Sequence, residues 1–138
     1  MPLNLPSVYF KSHAFTVKYD QERSLGTAVW RGKLAGADLQ EALLICAYVM
    51  EKYRLTRWLA DDRKMRSFSE EDQRWISENV VPSYLNGPLR RMAFLPSEDS
   101  KQVEAIEHLI ERAGDLDDLS LKWFKTEEEA LEWLMRAF

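Results

Sequence analysis

The 138-residue chain contains few of the residues that build disulfides, metal centres and nucleotide sites. Its single cysteine, Cys46, excludes an intrachain disulfide, and its two histidines, His13 and His108, are not spaced as zinc ligands. With five glycines in all, the sequence has no glycine-rich loop that would cradle phosphates, and no Ser-His-Asp arrangement is recognisable. We therefore expect no metal centre and no cofactor.

Long apolar runs and basic stretches are also missing. Nothing approaches the ~20 consecutive apolar residues of a membrane span, and the opening residues MPLNLPSVYF lack the pattern of a signal peptide. The net charge of −4 comes from acids and bases mixed along the chain, which argues against nucleic-acid binding. We expect a single cytoplasmic domain over residues 1–138, without a membrane span or a nucleic-acid partner.

The chain does contain a regular alternation of strand-like and helix-like segments. The runs AFTVKY and LGTAVWRG, joined by the polar DQERS, predict an antiparallel hairpin. The runs TRWLAD, RRMAFLP and LSLKWFK predict three further strands, which alternate with four amphipathic helices. Because this alternation requires crossover connections, the sequence predicts an α/β fold with a mostly parallel sheet of about five strands, flanked by four helices.

Several helix boundaries are marked by particular residues. Ser69 precedes three acidic residues and is predicted to cap the second helix. Pro82 should bend or end that helix, because it lacks an N–H and collides with the preceding turn. Thr126 and Glu129 have the spacing of a capping box for the last helix. Cys46 lies in the apolar face of the first helix, so we interpret it as a core residue.

Two adjacent carboxylates, Asp61 and Asp62, follow the third predicted strand. Such a pair can supply an acid and a base when the two environments separate the pKa values. Neighbouring residues on a strand point to opposite faces, however, so these two are not placed to share a substrate. We expect Asp61 to be structural and to accept hydrogen bonds that order the following loop, while the other carboxylate pairs with Arg63 or solvent.

The segments VWRG, WLADDRKM, EDQRW, RRMAF and EEALEWL carry a family resemblance. From about Ala14 onward, the chain resembles the SpoIIAA-like superfamily, which includes STAS domains and is compared with CRAL-TRIO lipid-binding domains. It is most similar to a group of uncharacterised bacterial proteins of about this length, found mainly in Bacteroidetes. The resemblance implies a SpoIIAA-like layered fold, no cofactor and no established reaction.

The resemblance also indicates a phosphorylation site. Bacterial anti-sigma antagonists of this superfamily carry an Asp-Ser pair before the second helix, and the serine is phosphorylated. In the corresponding RSFSEED, Ser69, or otherwise Ser67, would occupy the place of that serine. This chain has Phe68 where the aspartate would stand and Glu70 where a glycine would follow. The acids of the first helical turn would also repel a phosphoserine.

The function that we expect is a non-enzymatic, STAS-like regulatory or binding module. The loop from Asp62 to Ser69 is the predicted recognition surface for a protein partner or for a small anionic or apolar ligand, because basic residues precede a helix N-terminus there. The residues that we expect to contribute are Asp61, Asp62, Arg63, Arg66, Ser67, Ser69, Trp75 and Trp30.

Two alternatives stay open at this point. One is a small enzyme that uses Asp61 or Asp62 as acid or base, which a buried aspartate with a strongly raised pKa would favour. The other is a structural homodimer with two-fold symmetry, the commonest symmetry of soluble oligomers. An exposed apolar patch would favour a protein partner.

Overall fold

The structure is a computed structural model, and it describes residues 7–138. Residues 1–6, on which the expected absence of a signal peptide partly rests, lie outside the described part of the chain. Six strands form one sheet in the order in which they occur along the chain: β1 (Ser7–Lys11), β2 (Phe15–Asp20), β3 (Leu25–Gly32), β4 (Arg57–Met65), β5 (Arg91–Leu95) and β6 (Ser120–Trp123). The first three strands are antiparallel, and β3 to β6 are parallel.

The helices cover the two faces of this sheet unequally. They are α1 (Gly36–Lys52), α2 (Glu70–Asn79), α3 (Val81–Asn86), α4 (Ser100–Ala113) and α5 (Glu127–Leu134). Right-handed crossovers between successive neighbouring strands place their helices on one face, and residues of α1 to α4 share a core with Trp58 and Phe94 of that face. Helix α5 packs on the other face, where Ala130 and Leu134 contact a smaller core.

This architecture confirms the predicted α/β class and the antiparallel start of the sheet. The sheet has one strand more than predicted, because β1 pairs with β2 at the edge. None of the five residues of β1 is buried, so the strand lacks the alternation of buried and exposed residues by which a strand is predicted from sequence. The helix expected to stop near Pro82 is divided, since α2 ends at Asn79 and Pro82 lies in the first turn of α3.

Strand β4 continues four residues beyond its predicted end. Val29 of β3 is paired with Asp61, and Arg31 is paired with Lys64, so β4 advances by one residue more than its neighbour. This irregularity is a β-bulge, which lets a strand continue while it changes the direction of its side chains. Residues 62–65 were predicted to begin a loop, but the backbone of this segment stays paired with β3.

Charged residues of the sheet hold α5 at both of its ends. At the first turn, Nη2 of Arg63 lies 2.7 Å from Oε1 of Glu127. At the other end, Nε of Arg57 donates to the carbonyl oxygen of Leu134 at 2.6 Å, and Nη2 of Arg91 donates to that of Ala137 at 3.0 Å. The last carbonyl groups of a helix have no partner within the helix, so these arginines stabilise the docked end of α5.

Gly26 of β3 packs closely against Trp58 of β4. A Cβ atom at Gly26 would lie 2.5 and 2.7 Å from two ring carbons of Trp58 and 2.9 Å from Cδ1 of Leu55. Real carbon atoms do not approach so closely in a packed core, and a larger residue would require the indole ring to move. A glycine is therefore required at this position by the size of Trp58.

We predict that Gly26→Ala lowers the free energy of unfolding by about 1–3 kcal/mol, because overpacking forces Trp58 from its place. In a double-mutant cycle measured by urea denaturation, Gly26→Ala should be less destabilising when Trp58 is replaced by Phe, since the smaller ring leaves room for the methyl group. Strictly additive effects of the two substitutions would contradict the steric explanation.

Candidate functional site

A cavity of about 120 Å³ lies between the sheet and helices α1 to α4. Its sheet side consists of apolar residues on adjacent strands, and its helix side of apolar residues from all four helices, among them Trp30, Ala60, Phe94, Leu39, Ile76 and Ile106. An apolar cavity of about 150 Å³ stays dry and can bind benzene. The space is therefore of the right order for a molecule with one small ring or a short alkyl chain.

The only charged side chain that lines this cavity among the described residues is Asp62. It is 3% exposed, and burial raises the pKa of its carboxyl to about 7. The negative charge of Asp61 raises this pKa further, while a hydrogen bond from the Gln102 side chain acts in the opposite direction. A buried carboxyl without a cation beside it is expected to hold its proton to higher pH than usual.

Gln102 is the second polar group of the cavity, and it comes from the first turn of α4. The side chain is fully buried, and its Nε2 donates to Sδ of Met65 at 3.2 Å. Its Oε1 is buried and accepts no hydrogen bond from the described residues. Buried polar atoms are nearly always paired, so this oxygen is an unused acceptor on a residue that lines the cavity.

Two further ionisable groups face the same space. Burial raises the pKa of the Cys46 thiol and of the Tyr84 phenol, and the charge of Asp62 contributes in both cases. Both groups are therefore protonated at neutral pH. Cys46 is 1% exposed, which confirms its interpretation as a core residue. A buried thiol that stays protonated is also a poor nucleophile.

Asp61 lies on the opposite face of β4, beneath the start of α5. Its Oδ1 accepts hydrogen bonds from the backbone N–H of Arg63 at 3.2 Å and from Nε of Arg63 at 2.9 Å. Nη2 of the same guanidinium donates to Oδ2 of Asp61 at 2.8 Å and to Glu127 at 2.7 Å. The two carboxylates thus face opposite sides, as predicted, and Asp61 both orders the backbone and pairs with Arg63. The expectation that the other carboxylate pairs with Arg63 or solvent is wrong, because Asp62 is buried in the cavity wall.

The segment after β4 confirms one predicted contact and adds others. Oγ of Ser69 accepts a hydrogen bond from the N–H of Asp72 at 3.1 Å, so Ser69 is the N-cap of α2. The N–H of Ser67 donates to Oδ2 of Asp99 at 3.1 Å. Backbone hydrogen bonds from Ser67 and Lys101 lower the pKa of Asp99, and the positive charge of the exposed Arg66 lowers it further.

The two tryptophans expected at a pocket occupy different places. Trp30 is 5% exposed, stacks on Phe15 with ring centroids 5.1 Å apart, and lines the cavity. Trp75 is half-buried and lines a separate depression on the surface, beside Ser69 and Asp72. Trp30 and Asp62 therefore belong to one site, whereas Trp75 belongs to another.

Sequence reasoning missed Gln102 and Tyr84 as parts of the site. The buried positions of α4 are Gln102, Ala105 and Leu109, so a polar side chain lies in the buried stripe of this helix. Gln102 lies four residues before Ile106, which also lines the cavity, and this helical spacing was the signal that the sequence offered. Tyr84 follows Pro82, near which the helix is predicted to bend or end, and only the folded chain brings Tyr84 to the cavity.

The order of strands and the helix layers define a mixed α/β protein with a SpoIIAA-like fold. The structure is similar to the crystal structure of an uncharacterised protein of the DUF3478 family, with a SpoIIAA-like fold, from Shewanella loihica PV-4. The two superpose with a TM-score of 0.60 at 18% sequence identity, over 97% of this chain and 98% of the other. This likeness confirms the predicted fold.

The sequence matches no family model and no curated protein. Among residues 7–138, no helix has the length and apolar character needed to cross a membrane. In the same part of the chain, no three histidine, cysteine or acidic side chains are grouped closely enough to hold a metal ion.

We predict that Asp61→Ala lowers the melting temperature, because the N–H and guanidinium of Arg63 lose their acceptor. The side chain of Arg63 is 42% exposed, so solvent screens the ion pair and we expect a loss of about 1 kcal/mol. Thermal unfolding at neutral pH measures it. A melting temperature that does not fall would show that Asp61 has no structural role.

We predict the opposite behaviour for Asp62→Asn. The folded-state pKa of Asp62 is raised, so protonation of this group stabilises the folded protein. This contribution to the free energy of unfolding is fully present below pH 3.8, the ordinary pKa, and is lost as the pH rises through about 7. The neutral amide avoids this loss. The variant should gain roughly 2–4 kcal/mol over the unmodified protein as the pH rises from about 5 to about 8.

Urea denaturation at several pH values measures this difference, and Asp61→Asn provides the control on the same strand. That variant should be less stable than the unmodified protein at pH 8. An Asp62→Asn effect that does not change with pH would contradict the raised pKa.

Proposed function

We propose that the protein is a non-enzymatic binding module that holds a small, largely apolar molecule in the cavity between the sheet and helices α1 to α4. The observation that supports this proposal is the pairing of an apolar cavity of about 120 Å³ with two buried polar side chains, Asp62 and Gln102. Ligand sites characteristically combine apolar walls with a few polar groups that orient the ligand. The resemblance to STAS domains supports a regulatory use of such binding.

The half-exposed residues of the cavity wall indicate where a ligand would enter. They include Val81 and Leu85 of α3 and Ile110 and Ala113 in the second half of α4. Helix α3 has only six residues, and its apolar side chains Val81, Tyr84 and Leu85 are half-buried against the core. We infer that molecules reach the cavity between α3 and the end of α4.

The segment before α2 offers less support for a recognition surface. Arg63 is engaged by Asp61 and Glu127, and Nζ of Lys64 lies 2.8 Å from Oε1 of Glu98. An acidic partner would have to compete with these carboxylates for the same cations. Recognition of a protein or a small anion through this segment stays a prediction.

A protein partner or a second copy of the chain is supported by a different surface. Tyr9 of β1 and Leu44 and Tyr48 of α1 are 37%, 51% and 53% exposed, and they lie side by side at the edge of the sheet. Exposed apolar patches often mark interfaces. Homodimer formation stays a prediction, and this exposed patch is the observation that supports it.

One observation favours a second candidate function, a small enzyme. A buried aspartate with a pKa of about 7 in a cavity could serve as a general acid or base. Cys46 and Tyr84 are protonated at neutral pH, so the cavity supplies no activated nucleophile beside it. Turnover of phosphoester, ester or peptide substrates that Asp62→Asn abolishes would establish the enzyme and overturn our proposal.

We predict that Ala113→Phe abolishes the binding of small apolar molecules. Ala113 lines the cavity at its entrance, and a phenyl ring there would occupy the space. Titration with toluene, followed by amide chemical shifts in NMR spectra, measures both the binding and its location.

Ala47→Phe is the matched control, because Ala47 is also half-buried on a helix but does not line the cavity. The control should bind toluene as the unmodified protein does. If the unmodified protein shows no shifts at cavity residues, or if Ala113→Phe leaves them unchanged, the cavity is not a binding site.

A further inference from the structure

We propose that the cavity selects small apolar molecules that carry a primary amino group, with the ammonium held between the carboxylate of Asp62 and Oε1 of Gln102. This inference rests on the proposed function and specifies the chemistry of its ligand. It differs from the anionic ligand that the basic residues around Arg63 predict, because those residues lie outside the cavity.

The hydrogen-bonding capacity of the site is the first argument. Among residues 7–138, no group donates to the buried Oε1 of Gln102, and a carboxylate of Asp62 is also an acceptor. A neutral hydroxyl group can donate one hydrogen bond, whereas an ammonium group can donate three. An ammonium group can therefore donate to both oxygen atoms at once.

The charge of the site is the second argument. Arg63 is paired with Asp61 and Glu127 on the opposite face of β4, so it does not neutralise Asp62. Among the described residues, no lysine, arginine or histidine lines the cavity. A carboxylate or phosphate ligand would meet repulsion there, whereas a cation would supply the missing counter-charge.

The burial of Asp62 also reduces the obstacle to binding a cation. Removing two charges from water to form a buried pair is usually unfavourable. Here the Asp62 side chain is already buried before any ligand binds, with only 3% of it exposed, so folding has already removed the carboxyl group from water. Only the ammonium group must leave water, and the ionised carboxylate regains a partner.

The groups around Asp62 give this binding a defined pH dependence. The titratable groups that face it are Cys46 from α1 and Tyr84 from α3, with Asp61 adjacent in the strand, while α4 contributes the neutral Gln102. The thiol and the phenol are protonated throughout the neutral range. An amine should therefore bind more tightly as the pH rises through about 7, where Asp62 ionises.

Four compounds of similar size test the inference by calorimetric titration at pH 8. They are benzylamine, benzyl alcohol, toluene and benzoate, which carry a cation, a neutral donor, no polar group and an anion. We expect benzylamine to bind about tenfold more tightly than benzyl alcohol, because hydrogen bonds between charged groups are stronger. Toluene should bind more weakly than either, and benzoate should not bind.

Two variants connect the selectivity to the named atoms. Asp62→Asn should weaken benzylamine binding about tenfold or more and leave toluene binding nearly unchanged. Gln102→Leu should weaken benzylamine binding to a smaller extent, since it removes one neutral acceptor. Asp61→Asn, which changes the neighbouring carboxylate on the other face, should preserve the preference for the amine.

The outcomes separate this inference from the proposed function. If toluene and benzylamine bind equally, or if Asp62→Asn leaves the preference for benzylamine intact, the amine specificity is overturned and the cavity still binds apolar molecules. If benzoate binds most tightly, the assignment of charge is wrong. If none of the four compounds binds, both the inference and the proposed function fail.

Discussion

Strand β4 places two adjacent carboxylates on opposite faces of the sheet, and the rest of the structure depends on how each one is stabilised. Asp61 faces α5, where the guanidinium of Arg63 neutralises it and reaches Glu127 at the start of that helix. Asp62 faces the larger core, where burial holds its pKa near 7 in place of an ion pair. Adjacent residues of one strand therefore meet the same electrostatic problem in different ways: one gains a counter-charge and the other gains a proton.

The two layers of helices differ in the way they are attached. Helix α5 is short, and arginines of β4 and β5 hold its carbonyl end while Arg63 holds its first turn. The opposite layer is assembled from three separate crossovers, and its side chains leave a cavity of about 120 Å³ against the sheet. Natural cores contain few voids of this size, and this one includes the two buried polar groups that can orient a ligand.

The SpoIIAA-like fold by itself assigns no activity, since one fold supports many functions and the chemistry resides in sites. The proposed binding function therefore depends on Asp62 and Gln102. A buried carboxyl group with a raised pKa serves equally as an acid–base catalyst or as an anchor for a cation. The unpartnered oxygen of Gln102 favours the anchor, because it can accept a hydrogen bond from a ligand but cannot itself transfer a proton.

The sequence by itself determined the features that depend on neighbouring residues. The bounds of β3, the capping of α2 by Ser69 and of α5 by Thr126, and the interruption near Pro82 all follow from local backbone requirements, and the structure confirms them. The resemblance in the sequence likewise predicted the fold. Only the tertiary structure decided that β1 joins the sheet, that β4 continues through a bulge to Met65, and that Gln102 is brought to Asp62. These features depend on pairing and packing between segments far apart in the chain, and a periodic pattern cannot encode which distant partner a polar side chain will meet.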